Sequence, residues 1–287
     1  MATDVAHANV IRARYKTLRP ATSFQGEEII LARHAETIAE VFPDWIERCK
    51  LDGAYYQPFD LNVPVRLPKR MNMIEAYQCD PPVSEVGRIM AQLFARELVS
   101  RNAIPKTIFC SPTLASLQTA TDIQNYIGKE CGPTCIDASL ASDRSSAQHW
   151  LGEKELSKLK FHINNSYSPI EVEVNDNGLK SIAEGMVKVI PKLSDAQGIV
   201  LVITDSMAVK MLRDLSTNYD PGDRTEKDLR GSAAHGYPAM SSIVLNVRQS
   251  RNGKKRIYPS RLFMRPLTSI GECTQTDFDI DNYRAKT

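Results

Sequence analysis

Short apolar runs that stop abruptly at polar residues constrain this chain more than any other feature. In the first, Ile29, Ile30, Leu31 and Ala32 are followed at once by Arg33 and His34. A run with no polar face reads as a strand covered on both sides. The clearest such run, GIVLVIT over 198–204, ends at Asp205, and the run from Lys106 to Cys110 ends at Ser111. A helical pattern follows each of them, over about 37–50, from Ser111-Pro112 onward, and over about 206–215. Strands alternating with helices predict an α/β fold: a three-layer sandwich, its sheet mostly parallel, with helices on both faces. Open sheets of this kind bind ligands beyond the carboxyl ends of their strands. His34, Ser111 and Asp205 are therefore expected to converge. A cation beside an imidazole there points to an anion or phosphoryl site, although an exposed Arg and a hydrogen-bonded His leave the same trace.

Other elements follow from local pattern. Ser84 to Arg101 reads as an amphipathic helix capped by Ser84, with Val86, Ile89, Met90, Leu93, Phe94 and Leu98 on its inner face. The proline-rich stretch 51–83 is expected to hold no helix, and its Arg66, Lys69 and Arg70 to put positive charge at a cleft rim. Ser181 and Glu184 form a capping-box pattern ahead of another helix. Strands over 241–248 and 255–263 are joined at Asn252-Gly253, a hairpin signal.

The 287 residues are 42% hydrophobic and 24% charged, within the range of globular chains and long enough for a sizeable core. A formal net charge of +2 gives no indication of nucleic-acid binding. No apolar run approaches the ~18 residues of a membrane span. The absence of a signal-peptide pattern predicts a cytoplasmic protein, with a nuclear one still open. The six cysteines are scattered without a zinc spacing, so free thiols, no metal and no cofactor are expected. One domain over 25–265 is predicted, between a basic N-terminal arm, 1–24, and a net-acidic tail, 266–287.

Three segments in order, LARHAE, SPTLASLQTA and VLVITDS, resemble the histidine phosphatase (phosphoglycerate mutase-like) superfamily. Within it, YYQPFDLNVPVRLPKR and DPPVSEVG resemble the phosphatase domain of the suppressor-of-T-cell-receptor-signalling proteins and ecdysteroid-phosphate phosphatase. The likeness covers roughly 27–265. It implies a His nucleophile at the first strand end, two Arg and a second His around the phosphoryl oxygens, and a carboxylic acid for the leaving group. Such a group needs cations and fixed donors around it. His34 and Arg33 match the nucleophile and the first phosphate ligand. The Gly that should follow is Ala35, and a further Arg is Thr37. The second Arg position holds Ala115, and the second His position holds Asp205. The acid position holds Ser142, or Asp143 with a slip of one residue.

Three functions are compatible with this pattern. One is a pseudophosphatase, the fold kept and the chemistry lost, acting through a protein or ligand partner. A second is a slow phosphomonoesterase using His34, with Asp143 as acid and His149 or Lys210 holding phosphate; Arg144 and His235 are further donors in range of the same loops. A third is a phospho-ligand sensor built on Arg33 and the basic loop. A direct Asp205–His34 hydrogen bond would instead turn the pocket into an internal ion pair. The resemblance also implies a homodimer.

Overall fold

The computed structural model describes residues 24–52, 55–159, 161–173, 178–217, 232–233, 236–249, 255–269 and 272–273. The N-terminal arm to residue 23, the tail beyond 273, the 250–254 turn and His235 lie outside them.

Every residue of strand β1, Glu28–Arg33, is buried up to Ala32. Ile29 and Leu31 face one core while Ile30 and Ala32 face the other. The two-residue side-chain period of a strand, with apolar residues at every position from 29 to 32, requires cover on both sides. Strands β2 (Thr107–Cys110), β3 (Thr134–Ile136) and β4 (Val200–Thr204) run parallel to β1. Antiparallel β5 (Ser242–Gln249) and β6 (Lys255–Pro259) complete a six-stranded sheet in the order β3-β2-β4-β1-β5-β6. A two-stranded ribbon, β7 (Thr268–Ser269) and β8 (Glu272–Cys273), follows.

Helices cover both faces. On one lie α1 (Ile38–Val41), α2 (Trp45–Arg48), α3 (Met73–Cys79), α4 (Glu85–Ser100) and α5 (Leu114–Ile127). After the short α6 (Glu153–Lys158), α7 (Leu179–Asp195) and α8 (Ser206–Ser216) pack on the other. The α/β sandwich expected from the strand–helix alternation is the observed fold. Among the described residues no helix is long and apolar enough to cross a membrane.

Four local expectations are corrected. The segment 37–50 forms two one-turn helices, because Pro43 lacks an N–H and breaks the ladder between α1 and α2. The 51–83 stretch does contain a helix, α3, which fits in the interval free of proline between Pro68 and Pro81. Helix α7 begins at Leu179 with Gly178 as its cap, so Ser181 and Glu184 lie inside it.

The fourth correction concerns which face of α4 is buried. Val86 and Ile89 are 45% and 55% exposed, while Gly87, Ala91, Phe94, Ala95 and Leu98 face inward. The small residues let the helix approach the β1–α1 corner closely. A Cβ on Gly87 would stand 2.3 Å from the Glu36 carbonyl oxygen, so that position takes only glycine.

The chain passes from β1 to β2, then β3, and returns to place β4 between β2 and β1. Where strand order reverses, neighbouring loops part and leave a crevice. The loops after β1, β2, β3 and β4 all open at this end. Two of them are laced to β4, with His34 N–H donating to Thr204 O (2.8 Å) and Ser111 N–H to Ile203 O (3.1 Å).

Candidate active site at the strand ends

His34 is half-buried directly after β1. Its Nδ1 lies 2.8 Å from the carbonyl oxygen of Ala35. A neutral ring that donates from Nδ1 keeps the Nε2 lone pair free. Burial, then the neighbouring Arg33 charge, lowers the His34 pKa to about 4, against opposing pulls from the Ala35 carbonyl and Asp205. At neutral pH the ring is therefore an uncharged imidazole with its nucleophilic nitrogen open.

Arg33 is held from two sides. Its Nη1 donates to the Tyr237 carbonyl (2.9 Å), and its Nη2 pairs with the Glu40 carboxylate. Glu40 is itself anchored. Thr37 caps α1, and the Glu40 Oε2 accepts from Thr37 N–H (2.7 Å) and Thr37 Oγ1 (3.1 Å). This is a capping box, in which the cap and the third helical residue satisfy each other. The Thr-x-x-Glu signature at 37–40 is visible in the sequence, but its tie to Arg33 is not.

Ala35 and Ala115 lie on a common wall. Ala35 N–H donates to Thr119 Oγ1 (3.0 Å), which donates to the Ala115 carbonyl (2.7 Å). Ala115 is buried in the first turn of α5 and carries no polar side-chain atom. The α5 start is capped from outside, by Asp80 Oδ1 accepting from Leu114 N–H (2.7 Å), and not by Ser111. Ser111 instead shares hydroxyl bonds with Thr113 (3.1 Å) and Ser116 (2.8 Å).

Asp205 caps α8, its Oδ1 accepting from Ala208 N–H at 2.9 Å. The same carboxylate takes two bonds from Ser142, one from N–H (3.0 Å, to Oδ2) and one from the hydroxyl. The two positions that the resemblance assigns to a phosphate-holding His and a proton donor are thus bonded to each other. The Asp205–His34 ion pair considered above does not form. His34 Nδ1 turns to Ala35 O, Asp205 turns to Ser142 and α8, and the imidazole is neutral.

The other donors named from the sequence have partners elsewhere. Asp143 accepts from Ser145 N–H (2.9 Å) and Ser145 Oγ (2.6 Å) in an exposed turn. His149 Nε2 lies 3.0 Å from Gln148 and 3.5 Å from Glu75. Lys210 pairs with Asp214 one turn along α8, at 3.1 Å. Arg144 is buried, 3.5 Å from Ser181 on α7. Arg70 leaves the basic rim as well: its side chain is buried against Asp80 (3.1 Å) and donates to the His149 carbonyl.

A mixed, mostly parallel sheet with an Arg-His pair at its first strand end and helices on both faces defines the phosphoglycerate mutase-like class of α/β proteins. The chain has this fold and has relatives by sequence among characterised proteins. Those relatives include the mouse ubiquitin-associated and SH3 domain-containing protein A, 29% identical over 196 residues, which are 63% of this chain and 31% of that protein. The Drosophila melanogaster ecdysteroid-phosphate phosphatase is 29% identical over 157 residues, 53% of this chain and 21% of that protein. Among solved structures, the Bombyx mori ecdysone phosphate phosphatase in complex with tungstate superposes with a TM-score of 0.65 at 16% identity, over 90% of this chain and 99% of that one. The chain thus spans less than a third of the length of these two curated relatives. No protein-family model matches it.

Proposed function

We propose that this chain is a pseudophosphatase: a histidine-phosphatase-like protein that keeps the fold and the nucleophile but does not turn over phosphomonoesters, and that acts by binding a protein or ligand. The observation that carries the reading is the closed Ser142–Asp205 pair beside His34. A carboxylate where a phosphate donor should be repels the dianion. At ~4 Å and an effective dielectric of ~20 the penalty is on the order of 4 kcal/mol per unit charge. Ala115 brings no cation, and Ser142 brings no acid of suitable strength. Each charge-assisted bond forgone is worth about 1.5–3 kcal/mol. Since ~1.4 kcal/mol is tenfold in rate, their joint absence removes many decades. The homodimer and the cytoplasmic placement expected from the sequence belong to the same proposal, as does the domain boundary at 25–265.

The test is hydrolysis of para-nitrophenyl phosphate by wild type and His34→Ala. The expected result is no turnover above the His34→Ala background, and no phosphohistidine at residue 34. Turnover that disappears with His34→Ala would favour the second reading, a slow phosphomonoesterase. One observation speaks for that alternative: the neutral His34 ring keeps its Nε2 open.

A further inference from the structure

Arg33 is the cation that the resemblance assigns to phosphate, and it stands next to the His34 nucleophile. Its guanidinium is a fork suited to a planar carboxylate or to two oxygens of a tetrahedral oxyanion. One arm of that fork is taken by the Glu40 carboxylate and another by the Tyr237 carbonyl. Glu40 does not meet Arg33 by chance of rotamer. It occupies the third position of α1, and its second oxygen is fixed by the Thr37 backbone and hydroxyl. Thr37 in turn stands where the resemblance places another Arg. One substitution therefore removes a cation and creates the cap that aims an anion at the remaining one.

We infer that Glu40 is the anion this cleft already holds: a built-in carboxylate that occupies the oxyanion seat on Arg33 and sets the ligand class by refusing tetrahedral dianions. The inference rests on the reading of the cleft as a rebuilt phosphate site, and it adds a residue that reading does not use. The refusal is separable from the loss of chemistry. The Ser142–Asp205 pair lies at the end of β4, whereas Glu40 acts at the end of β1. Releasing Glu40 restores a seat for an oxyanion without restoring a proton donor for a leaving group.

The variant Glu40→Gln tests this. Gln keeps a capping-box acceptor for Thr37 and is nearly isosteric, while the charge on Arg33 is released. Tungstate and inorganic phosphate binding is measured by titration calorimetry for wild type, Glu40→Gln and the double variant Arg33→Ala/Glu40→Gln. The expected result is tungstate binding at least about tenfold tighter in Glu40→Gln than in wild type, with the gain lost when Arg33 is also removed. Glu40→Ala, which gives up the cap too, is expected to show the same gain. Equal affinity in wild type and both Glu40 variants overturns the inference, and so does a gain that survives Arg33→Ala. Para-nitrophenyl phosphate assayed in parallel separates the two proposals. Hydrolysis by wild type that requires His34, with the gain in tungstate binding by Glu40→Gln kept, would overturn the pseudophosphatase reading and leave the assignment of Glu40 standing. No gain in binding and no hydrolysis would do the reverse.

Discussion

The ends of β1 and β4 lie side by side, Arg33 opposite Thr204 in the sheet, yet they are finished in different ways. At the β1 end the residue types suited to anion chemistry remain, and the structure neutralises them from within: Glu40 meets Arg33, and burial keeps His34 uncharged. At the β4 end stands an acidic residue, Asp205, which is a helix cap tied to Ser142. If Glu40 occupies the seat as inferred, the first corner is reversible by one side chain. The second is built into the start of α8 and costs stability to undo. On the proposed reading, a cleft loses its positive lining in two ways, by masking a charge or by replacing it, and only replacement is visible residue by residue.

Three measurements break or sharpen this contrast. The largest expected effect belongs to Asp205→Ala, which removes the α8 cap and leaves the buried Ser142 groups short of an acceptor. A loss of about 2–3 kcal/mol in urea unfolding is expected. A loss below half that would mean the β4 corner is as easily undone as the other.

Next comes the charge state of His34. Its folded pKa of about 4 lies below the ordinary 6.5, so the stabilisation from a neutral ring is fully present above 6.5 and drains as pH falls through 4. Asp80 and Asp122 act with the opposite sign. Burial raises both from 3.8 to about 6, so their contribution is present below 3.8 and is lost as pH rises through 6. Whole-protein stability mixes these, and the site-specific measurement is an NMR titration of the His34 ring. A midpoint near 4 is expected; one near 6.5 would return a positive charge to the β1 corner at mildly acidic pH.

The smallest effect is that of Thr37→Ala, which removes the hydroxyl half of the capping box. About 1 kcal/mol is expected in the same unfolding assay. No change would separate the placement of Glu40 from the cap.

How much of this was legible in the chain follows the range of the interactions. The strands were readable because a strand buried on both faces must be apolar along its length, and IILA and VLVI within β1 and β4 are. The position of His34 at a strand end was readable for the same reason. The face that α4 buries was not. Its apolar residues at 86, 89, 90 and 93 give a strong helical stripe, but the neighbouring corner comes too close for anything larger than Gly87. Hydropathy ranks side chains by their liking for water, while packing here ranks them by size.

By itself the sequence determined where β1, β2 and β4 stop and which residue types stand at their ends, since those depend on local periodicity and turn chemistry, whereas the strand expected over 255–263 ends at Pro259. Only the tertiary structure decided whom each polar group meets. It joined Ser142 to Asp205 across 63 residues of chain, turned Arg144 and Arg70 inward, and gave Lys210 to Asp214. A partly buried charge takes a partner wherever the fold brings one within about 3 Å, because leaving it unpaired costs more than the local pattern can reveal.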